Sequence, residues 1–513
     1  MNKKKTSKQI SFNLLASLLA FGVSICISLF VTPIIVEKLG DEAYGFVSLA
    51  NNFVSYASLI TVALNSMESR FVSIHIFQDD YDGANKYFTS VFFANVIIAV
   101  FLIPFMIIGI VKLEWFLDIP HTLINDVKIT FAIVFAQFLL EILTSRFEIA
   151  TFVTNRLNLY YINQIVASIV RVLIIIIGFR LFSIRIVFLV LGSFLGKLYI
   201  VNRNIHYTKV FIPKLKVQKS YFDVKCIIEV ASSGVWNLVS KLSSILLDGL
   251  DLLIANIFIG ASAMGALSLS KTIPALFMTL RGTLDYPFSP PMTECYAQGD
   301  IEGTVRYARM GNKLLGVFMI APMAVFLLYG KAFFHLWVPS QDADLLEILS
   351  LLSIMSLIAG SCINSLFTIF TITNHVMVNS LVILATGVGT TLTVFILLKT
   401  TKLGVYAIAG VSSVFGLLRN LIFTPIYGAY CLNVKWNTFY HEIFTGIICL
   451  IVNASVGYVL RIFFHGNTWM TLILSCIFMG IICVSINIFI VLNKTERRII
   501  LSMISQKFGN KKA

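Results

Sequence analysis

The chain has 513 residues, of which 58% are hydrophobic and 12% charged. An average soluble domain is about 45–50% apolar and about 25% charged, so this chain has too little charge to cover a water-soluble globule and is too hydrophobic for disorder. Its net charge of +14 would suggest nucleic acid in a soluble protein, but in a membrane protein it must first be divided between the two faces.

A membrane-spanning helix needs about 20 mostly apolar residues. Residues 9–36, 43–67 and 87–111 are free of Asp, Glu, Lys and Arg and predict the first three spans. The first is too long for the core of a signal peptide, about 7–15 residues. Three spans with single charges follow: about 129–145 with Glu141, 157–179 with Arg171, and 186–202 with Lys197. The seventh, about 230–257, carries Lys241, Asp248 and Asp251; the eighth, about 263–280, carries Lys271; the ninth is about 314–330. The uncharged run from Ile348 to Leu398 is too long for one span and divides at Thr373-Asn374-His375. The last three fall near 403–427 with Arg419, 443–460 and 468–492. The expected fold class is an all-α polytopic membrane protein with about fourteen transmembrane helices, or twelve if two weak segments lie at the interface. The long apolar runs exclude a β-barrel, whose strands alternate over about ten residues.

With both termini in the cytoplasm, 25 of the 39 Lys and Arg lie inside and 9 outside. The remaining 5 are Arg171, Lys197, Lys241, Lys271 and Arg419, within spans. This bias satisfies the positive-inside rule, so the net charge needs no nucleic-acid partner. The Lys209–Lys225 loop and the C-terminal tail can also hold anionic membrane lipid. The eight cysteines lie mostly in apolar runs without zinc or redox spacing, as small apolar side chains do. The longest loops, about 66–86, 203–229 and 281–313, are inside; outside loops hold at most about 18 residues. That leaves no room for a soluble catalytic domain. No phosphate-binding Gly-x-x-x-x-Gly-Lys-Ser/Thr motif occurs. No catalytic residue, metal site or cofactor is expected.

The chain repeats itself. A shift of 220 residues aligns Leu39–Tyr87 with Ile259–Tyr307 without a gap. There are 11 identities in 49 positions, where average composition gives roughly three. They include Gly40/Gly260, Gly45/Gly265, Ser48/Ser268, Asp80/Asp300 and Gly83/Gly303. Upstream, Phe12-Asn13-Leu14 is similar to Trp236-Asn237-Leu238. Spans one and seven therefore match, as do spans two and eight, and both copies point the same way. The expectation is two six-helix lobes related by an axis along the membrane normal, as in some secondary transporters, plus two C-terminal helices. The expected organisation is 1–206 for the first lobe, 207–229 for a basic cytoplasmic linker, 230–432 for the second lobe, and 433–513 for the extra helices and tail.

An early Asn in the first span, followed by Leu39-Gly40-Asp-Glu-Ala-Tyr44-Gly45 near its end, resembles the polysaccharide transporter and O-antigen flippase family. That family belongs to the multidrug, oligosaccharidyl-lipid and polysaccharide exporter superfamily. The polar loop ending Asp80-x-x-Gly83, its echo Asp300-x-x-Gly303, and twelve core spans plus two fit the same resemblance. The second-half motif has Met264 where the first has Tyr44. The resemblance implies a flippase, not an enzyme, of the bacterial cytoplasmic (inner) membrane. It would translocate a lipid-linked (undecaprenyl-pyrophosphate) oligosaccharide for O-antigen or capsule synthesis, by alternating access. Its partners would be that substrate, membrane lipids and other polysaccharide-assembly membrane proteins. Two alternatives stay open: a multidrug or metabolite exporter of the same superfamily, and a membrane glycosyltransferase or polymerase, against which the short outside loops argue.

Ionisable groups at membrane depth face a bundle interior or a watery cavity. Arg171, Lys241, Lys271 and Arg419 are the candidate cations of a substrate cavity, suited to the pyrophosphate and any acidic sugars of a lipid-linked oligosaccharide. Glu141, Asp248 and Asp251 are the candidates for ion coupling, through a transported proton or Na⁺. Lys241 and Asp248, seven residues apart, would share a helix face. The competing arrangement is that these charges pair with one another as structural bridges or snorkel to an interface.

Overall fold

The computed structural model describes residues 19, 20, 22, 23, 25–27, 29–154, 156–285, 288–462, 466–493, 496 and 497. All regular structure among them is helical. In chain order the helices are α1 (29–39), α2 (Asp41–Ala57), α3 (Leu59–Phe77), α4 (Tyr81–Val111), α5 (Ile124–Thr144), α6 (Ile149–Val153), α7 (Leu157–Leu181) and α8 (Val187–Phe211). There follow α9 (Val224–Ser244), α10 (Asp251–Phe258), α11 (Ala261–Ser270), α12 (Thr272–Asp285), α13 (Ser289–Ala297), α14 (Ile301–Trp337) and α15 (Ala343–Ser361). The last are α16 (Leu366–Ile372), α17 (Val376–Thr400), α18 (Val405–Leu418), α19 (Thr424–Cys431), α20 (Tyr440–Arg461) and α21 (Trp469–Val491).

Ten of these segments are long and apolar enough to cross a membrane. The count is eleven if α2 and α3, bent by 69° at Ser58, form one broken span. The chain is a multi-pass helical membrane protein. The expected fourteen spans would add α1, α8 and the α9–α10 stretch; the last two carry Lys197 and Lys241, Asp248 and Asp251. Residues 1–18 and 498–513, which bear on Asn13 and on the expected cytoplasmic termini, lie outside the described residues. Large apolar side chains such as Phe101, Ile177, Leu392 and Ile481 stand exposed on the spans, as a lipid-facing surface requires.

The 220-residue repeat extends well past its sequence identities. α4 and α14 start at Tyr81 and Ile301, α5 and α15 at Ile124 and Ala343, and α7 and α17 at Leu157 and Val376. α8 and α19 end at Phe211 and Cys431. The Asp-x-x-Gly echo is one helix cap made twice. The Asp80 carboxylate accepts the Gly83 N–H at 2.9 Å, and that of Asp300 accepts the Gly303 N–H at 2.8 Å. The Asp80 and Asp300 N–H groups each reach back to a carbonyl, His75 and Cys295, at 2.9 Å. The residue before each cap has positive φ, Asp79 at 58° and Gly299 at 77°. A Cβ on Gly83 or Gly303 would collide with the capping carboxylate, which explains why glycine recurs. The Gly83 N–H, then the His75 side chain, hold the Asp80 carboxyl below the usual 3.8. Its stabilisation is therefore present above that pH and lost as pH falls through the lowered value. Asp300→Ala should cost about 1 kcal/mol, read as a lowered melting temperature of the purified protein; an unchanged melting temperature would argue against the cap.

By packing, the chain forms two compact units. One runs to Leu269 and includes Ile383–Val388; the other holds Ser270–Val382 and the chain from Gly389 onward. This packing boundary lies beyond the expected repeat boundary at 229/230. The reason is local: Gly234 of α9 brings that helix against the Ala63 carbonyl of α3. In the first unit, Gly192 and Gly196 of α8 lie against the Arg171 and Ala167 carbonyls of α7, where a Cβ would come within 2.8 and 2.9 Å. Small residues at this spacing let helices approach without a hydrophobic drive. The basic 207–229 segment is ordered against α4: Asn85 bonds the backbone of Lys214 and Lys216, and Ser90 accepts the Asp223 N–H at 2.8 Å.

In the second unit α14 is the buried axis. Its 37 residues span about 55 Å at 1.5 Å each, so it continues past the bilayer core of about 30 Å. α20 and α21 pack on it. They are tied by Arg309–Glu442 at 2.7 Å and, beyond α21, by Lys313–Glu496 at 2.8 Å. Asn487 joins Asn453 at 2.8 Å and the Val317 carbonyl at 2.9 Å.

Candidate functional site

Each unit contains its own cluster of polar side chains among its helices. In the first unit a cavity of about 370 Å³ opens where α2 and α3 bend, and Asn51, Ser55, Thr61, Asn65, Glu141 and Lys241 help to line it. The bend has a local cause: the Ser58 hydroxyl donates to the Ser55 carbonyl at 2.7 Å, and a side chain inserted in the helical ladder kinks it. Glu141 faces Lys197 at 3.5 Å, and Lys197 also reaches Glu148 at 3.9 Å. Lys241 has no side-chain hydrogen bond or ion pair among the described residues.

The even helical spacing expected for Lys241 and Asp248 does not hold. A π turn, Ile245–Gly249, follows Lys241, contains Asp248 and interrupts the α-helical register. The Gly249 carbonyl accepts from the Tyr56 hydroxyl at 2.6 Å and from the Asn52 amide at 3.2 Å. Lys241 thus lines the cavity, Asp248 is exposed and Asp251 is buried. Arg171 lies on α7 in the same unit. Its Nε has no hydrogen-bond partner among the described residues, and Tyr44, from the Leu-Gly-x-x-x-Tyr-Gly motif, is within electrostatic reach.

In the second unit Lys271 occupies the turn between α11 and α12. Pro274 has no N–H for the Ser270 carbonyl, which instead accepts the Ser350 hydroxyl at 2.7 Å. Arg419 opens a second π turn, Arg419–Phe423. Its guanidinium donates to Asn420 Oδ1 at 3.3 and 3.1 Å. Arg281 lies within electrostatic reach of both Arg419 and Asp285. Asp285 in turn accepts from Asn364 at 2.7 Å and Ser365 at 2.6 Å. Gly360 leaves space beside this cluster: a Cβ there would lie 3.0 Å from Arg281 Nη1. The four expected cations thus divide two to each unit. Both π turns carry a charge singled out from the sequence, and such turns are frequent at functional sites.

The sequence does not single out Arg281, since the apolar run ends there and places it as the first residue of an inside loop. The repeat held a signal, since an offset of 220 places Arg281 opposite Thr61 on a helix. Nor does the sequence single out the Glu68–Arg146 pair at 3.6 Å, whose side chains are 4% and 0% exposed. Arg146 also donates to the Phe88 carbonyl at 3.3 Å and lies 4.9 Å from the Phe92 ring centre.

No protein-family model matches the chain. The fold is similar to that of several solved membrane transporters. The lipid II flippase MurJ, in an inward closed conformation, matches with a TM-score of 0.63 at 14% identity, over 93% of this chain and 99% of that one. A multidrug resistance MATE family transporter of the MOP superfamily, inward-facing, matches with a TM-score of 0.58 at 12% identity, over 83% of this chain and 98% of that one. In sequence the chain is 27% identical over 501 residues to the uncharacterized membrane protein EpsK of Bacillus subtilis (strain 168), covering 98% of this chain and 99% of that one.

Proposed function

We propose that the chain is a flippase that carries the anionic head group of a lipid-linked oligosaccharide across the bacterial cytoplasmic membrane. It works by alternating access, in the assembly of an O-antigen or capsule type of surface polysaccharide, and it is not an enzyme. The observation that carries this reading is the state of its membrane-depth cations. Lys241 has no described partner, and Arg281 and Arg419 stand close to one another with Asp285 as their nearby acid. Charges retained at this cost serve a pathway, and guanidinium groups suit a pyrophosphate. The flippase fold covers 93% of this chain and the exporter fold 83%, which favours the flippase over the multidrug-exporter reading. Glu141, Asp248 and Asp251 are the groups proposed to couple transport to a proton or Na⁺. Membrane lipids and other polysaccharide-assembly membrane proteins are its proposed partners.

Deleting the gene from a cell that makes the polysaccharide should leave lipid-linked oligosaccharide accumulating on the cytoplasmic face. It would be detected by protection from an externally added glycan-modifying enzyme. Normal surface polysaccharide with no accumulation would overturn the reading.

A further inference from the structure

We infer that the cavity of the first unit is a subsite for one carboxylate-bearing sugar of the head group, with Lys241 pairing to its carboxylate; this rests on the flippase reading above. An ammonium without a partner at membrane depth is expensive. The carboxylate in the same cavity, Glu141, is engaged with Lys197 at 3.5 Å. Among the described residues no further acid pairs with Lys241, and the group inferred to sit beside it is one anionic group of the substrate.

The rest of the lining says what that group is attached to. Asn51 gives its amide hydrogen to the Val47 carbonyl at 2.8 Å and keeps Oδ1 as an acceptor. Asn65 accepts from Asn95 at 2.8 Å through Oδ1 and keeps its amide as a donor. The Thr61 hydroxyl donates to the Ser58 carbonyl at 3.2 Å and can still accept. Neutral donors and acceptors set about one cation match the hydroxyls of a sugar ring. A phosphate would bring acceptors only, with about two negative charges, against Glu141. A hydroxyl can donate to Glu141; a phosphate dianion cannot. The volume of about 370 Å³ lies at the small end of ligand sites, about 300–1,000 Å³, and admits a single ring.

The second copy of the fold sharpens the contrast. Asn51, Thr61, Asn65, Glu141 and Ser145 correspond at an offset of 220 to Lys271, Arg281, Asp285, Ser361 and Ser365. There the acid, Asp285, already accepts from Asn364 and Ser365. The duplicated place has become a cationic cluster with its own acid in one unit and a cavity with an unpartnered lysine in the other.

The test uses the full chain in lipid nanodiscs, with proton saturation-transfer NMR for sodium glucuronate and glucose and phosphorus-NMR line broadening for inorganic pyrophosphate. Glucuronate should bind. Lys241→Met should weaken it by tenfold or more, the scale of one charge-assisted hydrogen bond, and Lys241→Arg should retain it. Glucose should bind more weakly, with no dependence on residue 241. If the methionine variant does not fold, Lys241→Gln replaces it. Glucuronate binding that is absent, or unchanged in the folded variants, overturns the inference. So does a Lys241 dependence seen with pyrophosphate and not with glucuronate. The flippase reading is judged separately by accumulation of lipid-linked oligosaccharide, which uses neither probe.

Discussion

Replacing Arg146 by methionine is expected to destabilise the first unit by about 3–5 kcal/mol, because it leaves the Glu68 carboxylate buried without its cation. The two side chains are 0% and 4% exposed, so neither solvent nor salt screens the change. The guanidinium is also a junction between helices. It donates to carbonyls of α5 (Leu143 and Ile142) and to Phe88 of α4, and it faces Glu68 of α3. Removing Glu68's charge as well, in the double variant Arg146→Met with Glu68→Gln, should recover much of the loss, since no uncompensated charge remains. A double-mutant cycle on melting temperatures in detergent reads the coupling. A single Arg146→Met variant as stable as the parent would show that the pair does not hold these helices.

The second large effect is expected at Gly234, with a reversal of sign. Alanine normally improves a helix interior over glycine by about 1 kcal/mol. At Gly234 a Cβ would fall within the Ala63 carbonyl, which is backbone and cannot rotate aside. Gly234→Ala should therefore cost about 2–3 kcal/mol, the scale of overpacking, as α9 is pushed from α3. Gly109 of α4 has nothing within 4 Å of the same position, so Gly109→Ala should be neutral or gain about 0.5–1 kcal/mol. Thermal unfolding of the two variants side by side decides the matter, and equal melting temperatures would refute the close approach.

Much of the fold is legible in the sequence because lipid selects on one property. Uncharged runs mark α4 and the Ile348–Leu398 stretch, and the division expected at Thr373-Asn374-His375 falls at a turn with Asn374 at φ 60°. What stayed hidden has a physical cause. Hydropathy locates the edges of the bilayer, whereas helices end where caps and packing end them. Charge patterning places Arg146, Arg281, Arg309 and Lys313 in inside loops, yet each sits on or beside a helix that outlasts its apolar run. Ion pairs such as Glu68–Arg146 join distant parts of the chain, which charge spacing cannot reveal. The π turns carry no local signal either, and one of them holds Asp248 itself.

The repeat leaves one further mark. The Ser48 and Ser268 hydroxyls, equivalent positions in the two copies, lie 2.7 Å apart. Beside them a Cβ on Gly45 would come within 3.0 Å of Gly265 Cα. Where each residue meets its own equivalent, the contact is isologous, the kind made by a symmetric homodimer. This seam is a dimer contact carried within one polypeptide. A true homodimer must satisfy such a contact with one sequence used twice, so every change there is made on both sides at once. Here the sides mutate independently: Tyr44, within reach of Arg171, has become Met264 in the second copy. Covalent linkage has kept the symmetric contact while permitting an asymmetric chemistry beside it.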